Sequence, residues 1–359
     1  MGDSVKMRGS QIMNRLIRPQ KLNKGDKVAT VSPALGIAGN SDVLWRYNLG
    51  KKRLEDVHGL AVIPAPNSMK GSDYLRENPK ARAEDIMWAF ENKEIKAIIA
   101  NIGGDDSIKI IPYIDTSIIR QNPKIFIGYS DVMNIHLLCY KIGLSTFYGH
   151  NLLPIIAETP NYHPYSQKWF EKVLFDNNPI GIIEPSDTFS CDENDYMNQN
   201  AKKTYYRNNG YLWIQGRGVA KGRLFGGHTG LCALEGILKD TLLEIITDDL
   251  DGKILFIEDI AEFFSPEQLA DFLMWLGNIG ALQKLKGIII GKLCSYQSFD
   301  EHRKAMLSVV NENYGLNNLP IVANMNFGHT SPICILPYGA MAEIDCDNKN
   351  FSIVESGVE

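Results

Sequence analysis

A chain of 359 residues, 44% hydrophobic and 22% charged, can bury a full core, and at roughly 150 residues per domain it is expected to form about two domains. This composition excludes wholesale disorder, collagen-like repeats and a disulfide-stapled miniprotein. With 42 acidic against 37 basic residues, a formal charge of -5 and no basic run to track phosphates, no nucleic-acid partner is expected.

The first twenty residues carry Lys6, Arg8, Arg15 and Arg18 without the apolar stretch of a secretory signal. Residues 1–20 are therefore expected to be a loose extension. No segment approaches the roughly 18 apolar residues of a membrane span. Six cysteines, at positions 139, 191, 232, 294, 334 and 346, stand singly with no C-x-x-C pair. Reduced thiols, no metal and a cytoplasmic location are the expectation.

From Lys27 onward, short apolar runs alternate with longer amphipathic ones, the pattern of βα units on a parallel sheet. Strands are expected over 28–31, 60–63, 97–100 and 125–127. Helices are expected over 43–57, 79–92 and 132–142, the second opened by Asn78 as N-cap and Pro79 as first helical residue. An α/β domain is thus predicted over 21–165. Residues 166–210, rich in Asp and Asn beyond Pro185, read as a linker and loop. A mixed α/β domain over 211–359 follows, with strands at 254–257, 285–290, 320–323, 333–336 and 341–344 and helices at 266–276 and 302–313.

Three polar positions fall where apolar strands stop. Gly128-Tyr-Ser-Asp131 lies between strand 125–127 and a helical pattern. A serine on such a turn can hold its hydroxyl at the sheet's edge as a nucleophile, the helix N-terminus favouring negative charge; it can equally be an ordinary N-cap. The hydrolase elbow G-x-S-x-G is incomplete, because Val132 occupies the last glycine position. Gly103-Gly104-Asp105-Asp106 follows strand 97–100 at the same edge, where bare backbone N–H groups can approach a ligand oxygen or simply turn the chain. Neither a dinucleotide fingerprint nor a Walker loop occurs, so no cofactor is expected.

Glu258-Asp259 ends strand 254–257, and His329 sits in the polar turn Asn326-Phe-Gly-His-Thr-Ser-Pro332. Separately, each reads as a loop or capping residue. Together, Ser130, His329 and Glu258 supply a nucleophile, a base and a carboxylate to orient the base. His136, flanked by Ile135 and Leu137, reads as a packed helix residue, and His150 and His228 are weaker candidates for the base.

At these residues the sequence resembles the serine peptidase family that contains the muramoyltetrapeptide LD-carboxypeptidases and the microcin C immunity proteins. The resemblance rests on Gly25-Asp-Lys-Val-Ala-Thr-Val-Ser-Pro33, Ile102-Gly-Gly-Asp105, Gly128-Tyr-Ser-Asp131, Gly222-Arg-Leu-Phe-Gly-Gly227, Leu255-Phe-Ile-Glu-Asp259 and Gly328-His-Thr-Ser-Pro332. It implies Ser130, Glu258 and His329 as the catalytic set and the N–H groups of Gly104 and Asp131 as oxyanion hole. It also implies an N-terminal flavodoxin-like domain, a C-terminal mixed α/β domain, a homodimer and no metal. Two departures bear on substrate: Asn101-Ile-Gly-Gly-Asp-Asp106 resembles the immunity branch more than the wall-recycling one, and His228 stands where relatives commonly have Asn.

The reading is a hydrolase that cleaves the amide next to a terminal aminoacyl group, with a small peptide or aminoacyl-nucleotide substrate of the microcin C type. Gly103, Asp105, Tyr211, Trp213 and His228 are the expected substrate contacts, the aromatic residues stacking a nucleobase or else packing in a hairpin. The alternatives are an LD-carboxypeptidase acting on muropeptides and a non-catalytic two-domain binding protein.

Overall fold

The structure is a computed structural model that describes residues 16–229, 239, 241–293 and 299–359. The strands, in chain order, are β1 (Lys27–Val31), β2 (Ala61–Pro64), β3 (Ile95–Ala100), β4 (Ile125–Gly128), β5 (Phe147–Tyr148), β6 (Gly181–Ile182), β7 (Thr188–Phe189), β8 (Tyr206–Arg207), β9 (Leu212–Gln215), β10 (Val219–His228), β11 (Lys253–Glu258), β12 (Gly287–Gly291), β13 (Ile321–Met325), β14 (Leu336–Pro337), β15 (Met341–Asp345) and β16 (Asn350–Ile353). They form two large sheets, one per domain, and the pair β7–β8.

The first sheet has the order β2-β1-β3-β4-β5-β14. Its first five strands run parallel, and 2-1-3-4-5 is the flavodoxin-like order. Its central strands β1, β3 and β4 are short and almost wholly buried, as crossover helices on both faces require: all four residues of β4 are buried. Helices Leu44–His58, Pro79–Glu91 and Met133–Lys141 agree with the expected spans to within a residue or two.

The second sheet has the order β6-β16-β15-β10-β11-β12-β13-β9. Strands β10 to β13 form its parallel centre, flanked by antiparallel neighbours at both edges. Helix Pro266–Asn278 packs beside it and opens with a capping box, Ser265 Oγ accepting from the Gln268 N–H at 3.2 Å and Gln268 Oε1 from the Ser265 N–H at 2.8 Å.

Three expectations need correction. The apolar run 333–336 is buried but contributes only Leu336 to a strand, and β14 pairs antiparallel with β5 in the first sheet. Hydrophobicity reports burial and says nothing about which sheet receives the segment. The linker expected over 166–210 is largely built in: helix Pro164–Leu174 buries Trp169 and Phe170, and β6 extends the second sheet. The extension is packed from Leu16 onward, with Leu16 buried and the Ile17 N–H on the Gly143 carbonyl at 2.8 Å; residues 1–15 lie outside the described part. Cys139, Cys191, Cys334 and Cys346 are free thiols, and Cys232 and Cys294 lie outside the described residues. No described helix is long and apolar enough to cross a membrane.

Candidate active site

Strand β4 delivers Ser130 to the carboxyl edge of the first sheet. The preceding residue is clamped by Asn151, whose Oδ1 accepts the Tyr129 N–H at 3.1 Å and whose Nδ2 donates to the Tyr129 carbonyl at 3.2 Å. Ser130 has φ of 69°, a left-handed conformation that costs a non-glycine residue about 1–3 kcal/mol and persists where surrounding contacts over-determine it. The turn Ser130–Val132 leads straight into helix Met133–Lys141. A strained strand-to-helix turn of this kind is the geometry that a nucleophile elbow uses, here formed with Val132 in place of the last glycine.

The loop after β3 comes close enough to the serine to restrict its own composition. A Cβ on Gly103 would stand 2.8 Å from Ser130 Cβ and 3.0 Å from its Oγ. The loop is anchored from behind by Arg82, whose buried guanidinium donates to Asp106 Oδ1 at 2.6 Å and to the carbonyls of Pro33 and Ala34 at 3.0 and 3.2 Å. Asp131 is held by the Ser107 N–H on Oδ2 at 2.7 Å and by Asn134 Nδ2 on Oδ1 at 3.2 Å. Its burial pushes the carboxyl pKa up, against those hydrogen bonds.

Glu258 closes β11 and is 2% exposed. A buried carboxylate needs donors, and it has them. His329 donates to its Oε2 twice, from Nδ1 at 2.7 Å and from the backbone N–H at 3.2 Å, and the Tyr148 hydroxyl donates to Oε1. With Nδ1 donating, His329 Nε2 is left as acceptor, and Ser130 Oγ lies 3.0 Å from it. Burial alone would lower the His329 pKa; the charge of Glu258, its hydrogen bond and the charge of Asp259 outweigh burial and raise it above the ordinary 6.5.

The turn bearing His329 is tied to the Asp- and Asn-rich segment. Ser190 and Ser331 exchange backbone hydrogen bonds at 2.7 and 3.1 Å. The Tyr205 hydroxyl, 3.1 Å from Ser331 Oγ, donates to Glu158 Oε1 at 2.8 Å. Lys203 also reaches that buried carboxylate, at 3.1 Å.

Gly104, Asp105, Ser130, Asp131, His228 and His329 line one cavity of about 470 Å³, with Ile108, Ile260 and Phe263 as its apolar wall. His228 faces Asp259, Nδ1 to Oδ2 at 3.7 Å. Burial would raise the Asp259 pKa, and His228 and the Thr229 hydroxyl outweigh it and lower it. Gly103 stands just behind, against Ser130. Tyr211 and Trp213 are not in this cavity: the Tyr211 hydroxyl donates to the Ile183 carbonyl at 3.0 Å, and Trp213 lies on edge strand β9 opposite Val322. Both residues are thus held by other parts of the chain, Trp213 through the pairing of β9 with the distant strand β13 rather than in a hairpin. His136 is a packed helix residue, bonded to Thr146 Oγ1 and the Gly128 carbonyl at 2.8 Å each, and burial pushes its pKa down to about 3. Among the described residues, no group of His, Cys, Asp and Glu could hold a metal ion.

Sequence reasoning missed Tyr148, Asn151 and Gly328. The only signal for Tyr148 was a phenol in an otherwise apolar strand, which must find a hydrogen-bond partner.

Comparison with known proteins bears on the same two domains. The LD-carboxypeptidase N-terminal domain family matches residues 28–149, and the LD-carboxypeptidase C-terminal domain family matches residues 221–344. YocD of Bacillus subtilis (strain 168) is 32% identical over 331 residues, covering 90% of this chain and 95% of that protein. The chain belongs to the LD-carboxypeptidase family of serine peptidases. Another member, the microcin C7 self-immunity protein MccF of Escherichia coli, is 32% identical over 83% of this chain and 85% of its own length. MccF in complex with aspartyl sulfamoyl adenosine matches with a TM-score of 0.80 at 26% identity, covering 96% of this chain and 100% of that one. An MccF-like protein from Streptococcus pneumoniae in complex with AMP matches with a TM-score of 0.82 at 30% identity, over 91% and 98% of the two chains.

Proposed function

We propose that this member of the LD-carboxypeptidase family is a serine hydrolase that releases the aminoacyl group of aminoacyl nucleotides, with Ser130, His329 and Glu258 as its catalytic set. The observation that carries the reading is the continuous relay at the cavity wall, Ser130 Oγ to His329 Nε2 at 3.0 Å and His329 Nδ1 to Glu258 Oε2 at 2.7 Å.

In this reading Ser130 Oγ attacks the carbonyl carbon of the aminoacyl group while its proton passes to His329 Nε2. Glu258 keeps the ring in the productive tautomer and stabilises the imidazolium. The backbone N–H groups of Gly104 and Asp131 receive the oxyanion. Collapse returns the proton from Nε2 to the leaving nitrogen and leaves an ester on Ser130. Water, deprotonated by the same imidazole, then hydrolyses the ester. A binding protein without chemistry would have no use for a strained serine hydroxyl aligned on a histidine that is itself aligned by a buried carboxylate.

The substrate class is supported by the relatives: solved structures hold MccF in complex with aspartyl sulfamoyl adenosine and the pneumococcal MccF-like protein in complex with AMP. Asp105 and His228, which line the cavity, are the proposed contacts to the substrate's polar groups. The test is mass spectrometry of products after incubation with aspartyl sulfamoyl adenosine and, separately, a muramoyl tetrapeptide. Faster release of the nucleoside sulfamate supports the reading. Faster release of D-alanine would replace it with the wall-recycling activity.

A further inference from the structure

Tyr148 occupies a position that the relay just described does not use. It ends β5 in the first sheet, fully buried, with its ring against Phe256 of the second sheet at 5.3 Å between centroids. Its hydroxyl oxygen accepts the backbone N–H of Ser130 at 3.2 Å, and its proton is donated to Glu258 Oε1. One phenol therefore joins the peptide that sets the nucleophile's left-handed turn to the carboxylate that orients the base. It does so across the two domains, because Ser130 follows β4 and Glu258 ends β11.

We propose that Tyr148 is a positioning residue for hydrolysis, fixing the backbone of Ser130 and drawing negative charge from Glu258 so that His329 is held at the basicity the reaction needs. The proposal rests on the serine-hydrolase reading and adds to it a residue that does not line the cavity and touches no substrate.

The chemistry follows from hydrogen-bond counting. Glu258 Oε2 faces His329, and Oε1 faces Tyr148. Each donor takes part of the carboxylate's charge, so a stronger bond at Oε1 leaves less charge to stabilise imidazolium at Oε2. Burial and the adjacent carboxylate also hold the phenol pKa well above its ordinary 10, so the hydroxyl remains a donor. The other titratable groups facing them are Tyr338, whose hydroxyl is committed to the Gly226 carbonyl at 2.6 Å; Asp259, which faces His228; Tyr129, whose ring lies 6.3 Å from that of Tyr148 and 5.2 Å from that of His329; and His136, 5.9 Å from the Tyr148 ring and bonded to Thr146 and the Gly128 carbonyl. None of them bridges serine and glutamate. The second bond of the phenol is equally committed: the peptide before a residue at φ of 69° has its N–H satisfied by this one oxygen.

The test measures the rate at which a fluorophosphonate probe labels Ser130, followed by peptide mass spectrometry from about pH 5 to about pH 9, a readout independent of the natural substrate. Three full-length proteins are compared: wild type, Tyr148→Phe, and a chain with 3-fluorotyrosine incorporated at position 148. Phe removes both bonds, and labelling should slow about 10- to 100-fold, the loss expected for a hydrogen bond to a charged group. The acid limb should move to higher pH by about half a unit or more as Glu258 concentrates its charge on His329. Fluorotyrosine keeps the shape of the site and donates more strongly, so its limb should move to lower pH with the plateau rate held within a few-fold. A merely structural tyrosine would lower stability without moving the limb in opposite directions in the two variants. If Tyr148→Phe fails to fold, the fluorotyrosine chain decides alone. A wild type that labels at Ser130 while the folded variants keep its rate and its limb would overturn this inference only. A wild type that does not label at Ser130 would overturn the serine-nucleophile reading and this inference with it.

Discussion

Gly328 offers the sharpest perturbation of the relay, because it touches neither substrate nor serine. It precedes His329 with φ of 93°, and a Cβ there would stand 2.3 Å from Glu258 Oε2, 2.6 Å from Cδ and 2.7 Å from Cγ. An ordinary carbon–oxygen contact is about 3.3 Å, so Gly328→Ala must displace the carboxylate or the turn by about 1 Å. Oε2 cannot move that far and keep its 2.7 Å bond to Nδ1. Strain at a positive φ costs about 1–3 kcal/mol, and loss of a hydrogen bond to a charged group about 1.5–3 kcal/mol. The variant should lose roughly 3–5 kcal/mol of stability and about 10²-fold or more in kcat/KM, the penalty of misplacing a catalytic group by an ångström. Thermal unfolding and turnover of an aminoacyl sulfamoyl adenosine measure the two losses. A Gly328→Ala protein within twofold of wild-type kcat/KM and with an unchanged midpoint would show that the carboxylate of Glu258 does not depend on the missing side chain at 328.

Ser130→Ala should fold normally and lose about four to six orders of magnitude in turnover, since the relay works as a unit; retention of most activity in a well-folded variant would remove the covalent route. Hydrolysis should be unaffected by EDTA, and an activity lost to the chelator and restored by zinc would contradict this. His329 must be neutral to act as base, so kcat/KM should fall as pH drops through its raised pKa, with the acid limb above 6.5. The same shift is a stability statement: the Glu258–His329 pair contributes fully below the unfolded value of 6.5 and its contribution is lost as pH rises through the folded value. A limb below 6.5 in kcat/KM would show that burial outweighs Glu258.

The parallel strands and the ends they present were legible because a buried strand reads as a short apolar run that stops at the edge. The runs 125–127 and 254–257 stop at Tyr129-Ser130 and at Glu258, which is how those side chains could be found. The turn holding His329 was visible as a polar interval between two apolar segments. What joins these positions was not visible. Tyr148 looks like any core aromatic in sequence, and its role depends on two sheets meeting at its hydroxyl. Gly328 reads as a turn glycine, and only the position of Glu258 shows that a methyl group has no room. Tyr211 and Trp213 misled in the opposite direction: aromatic side chains between polar residues suit a ligand or a protein neighbour equally well, and here Ile183 and strand β13 take them. Within 166–210 the part that was misplaced is the amphipathic one, residues 166–174, whose Trp169 and Phe170 are buried; the polar stretch beyond Pro185 runs as turns and short strands, and its Asn194 Oδ1 accepts from the Arg46 guanidinium at 2.8 Å.

Acid-quenched mass spectrometry during turnover of aspartyl sulfamoyl adenosine bears on nucleophile and substrate together. An aspartyl adduct should form on the peptide containing Ser130, be absent from Ser130→Ala and accumulate transiently before free aspartate appears. Release of aspartate with no adduct on Ser130, at a rate that Ser130→Ala preserves, would contradict the covalent route.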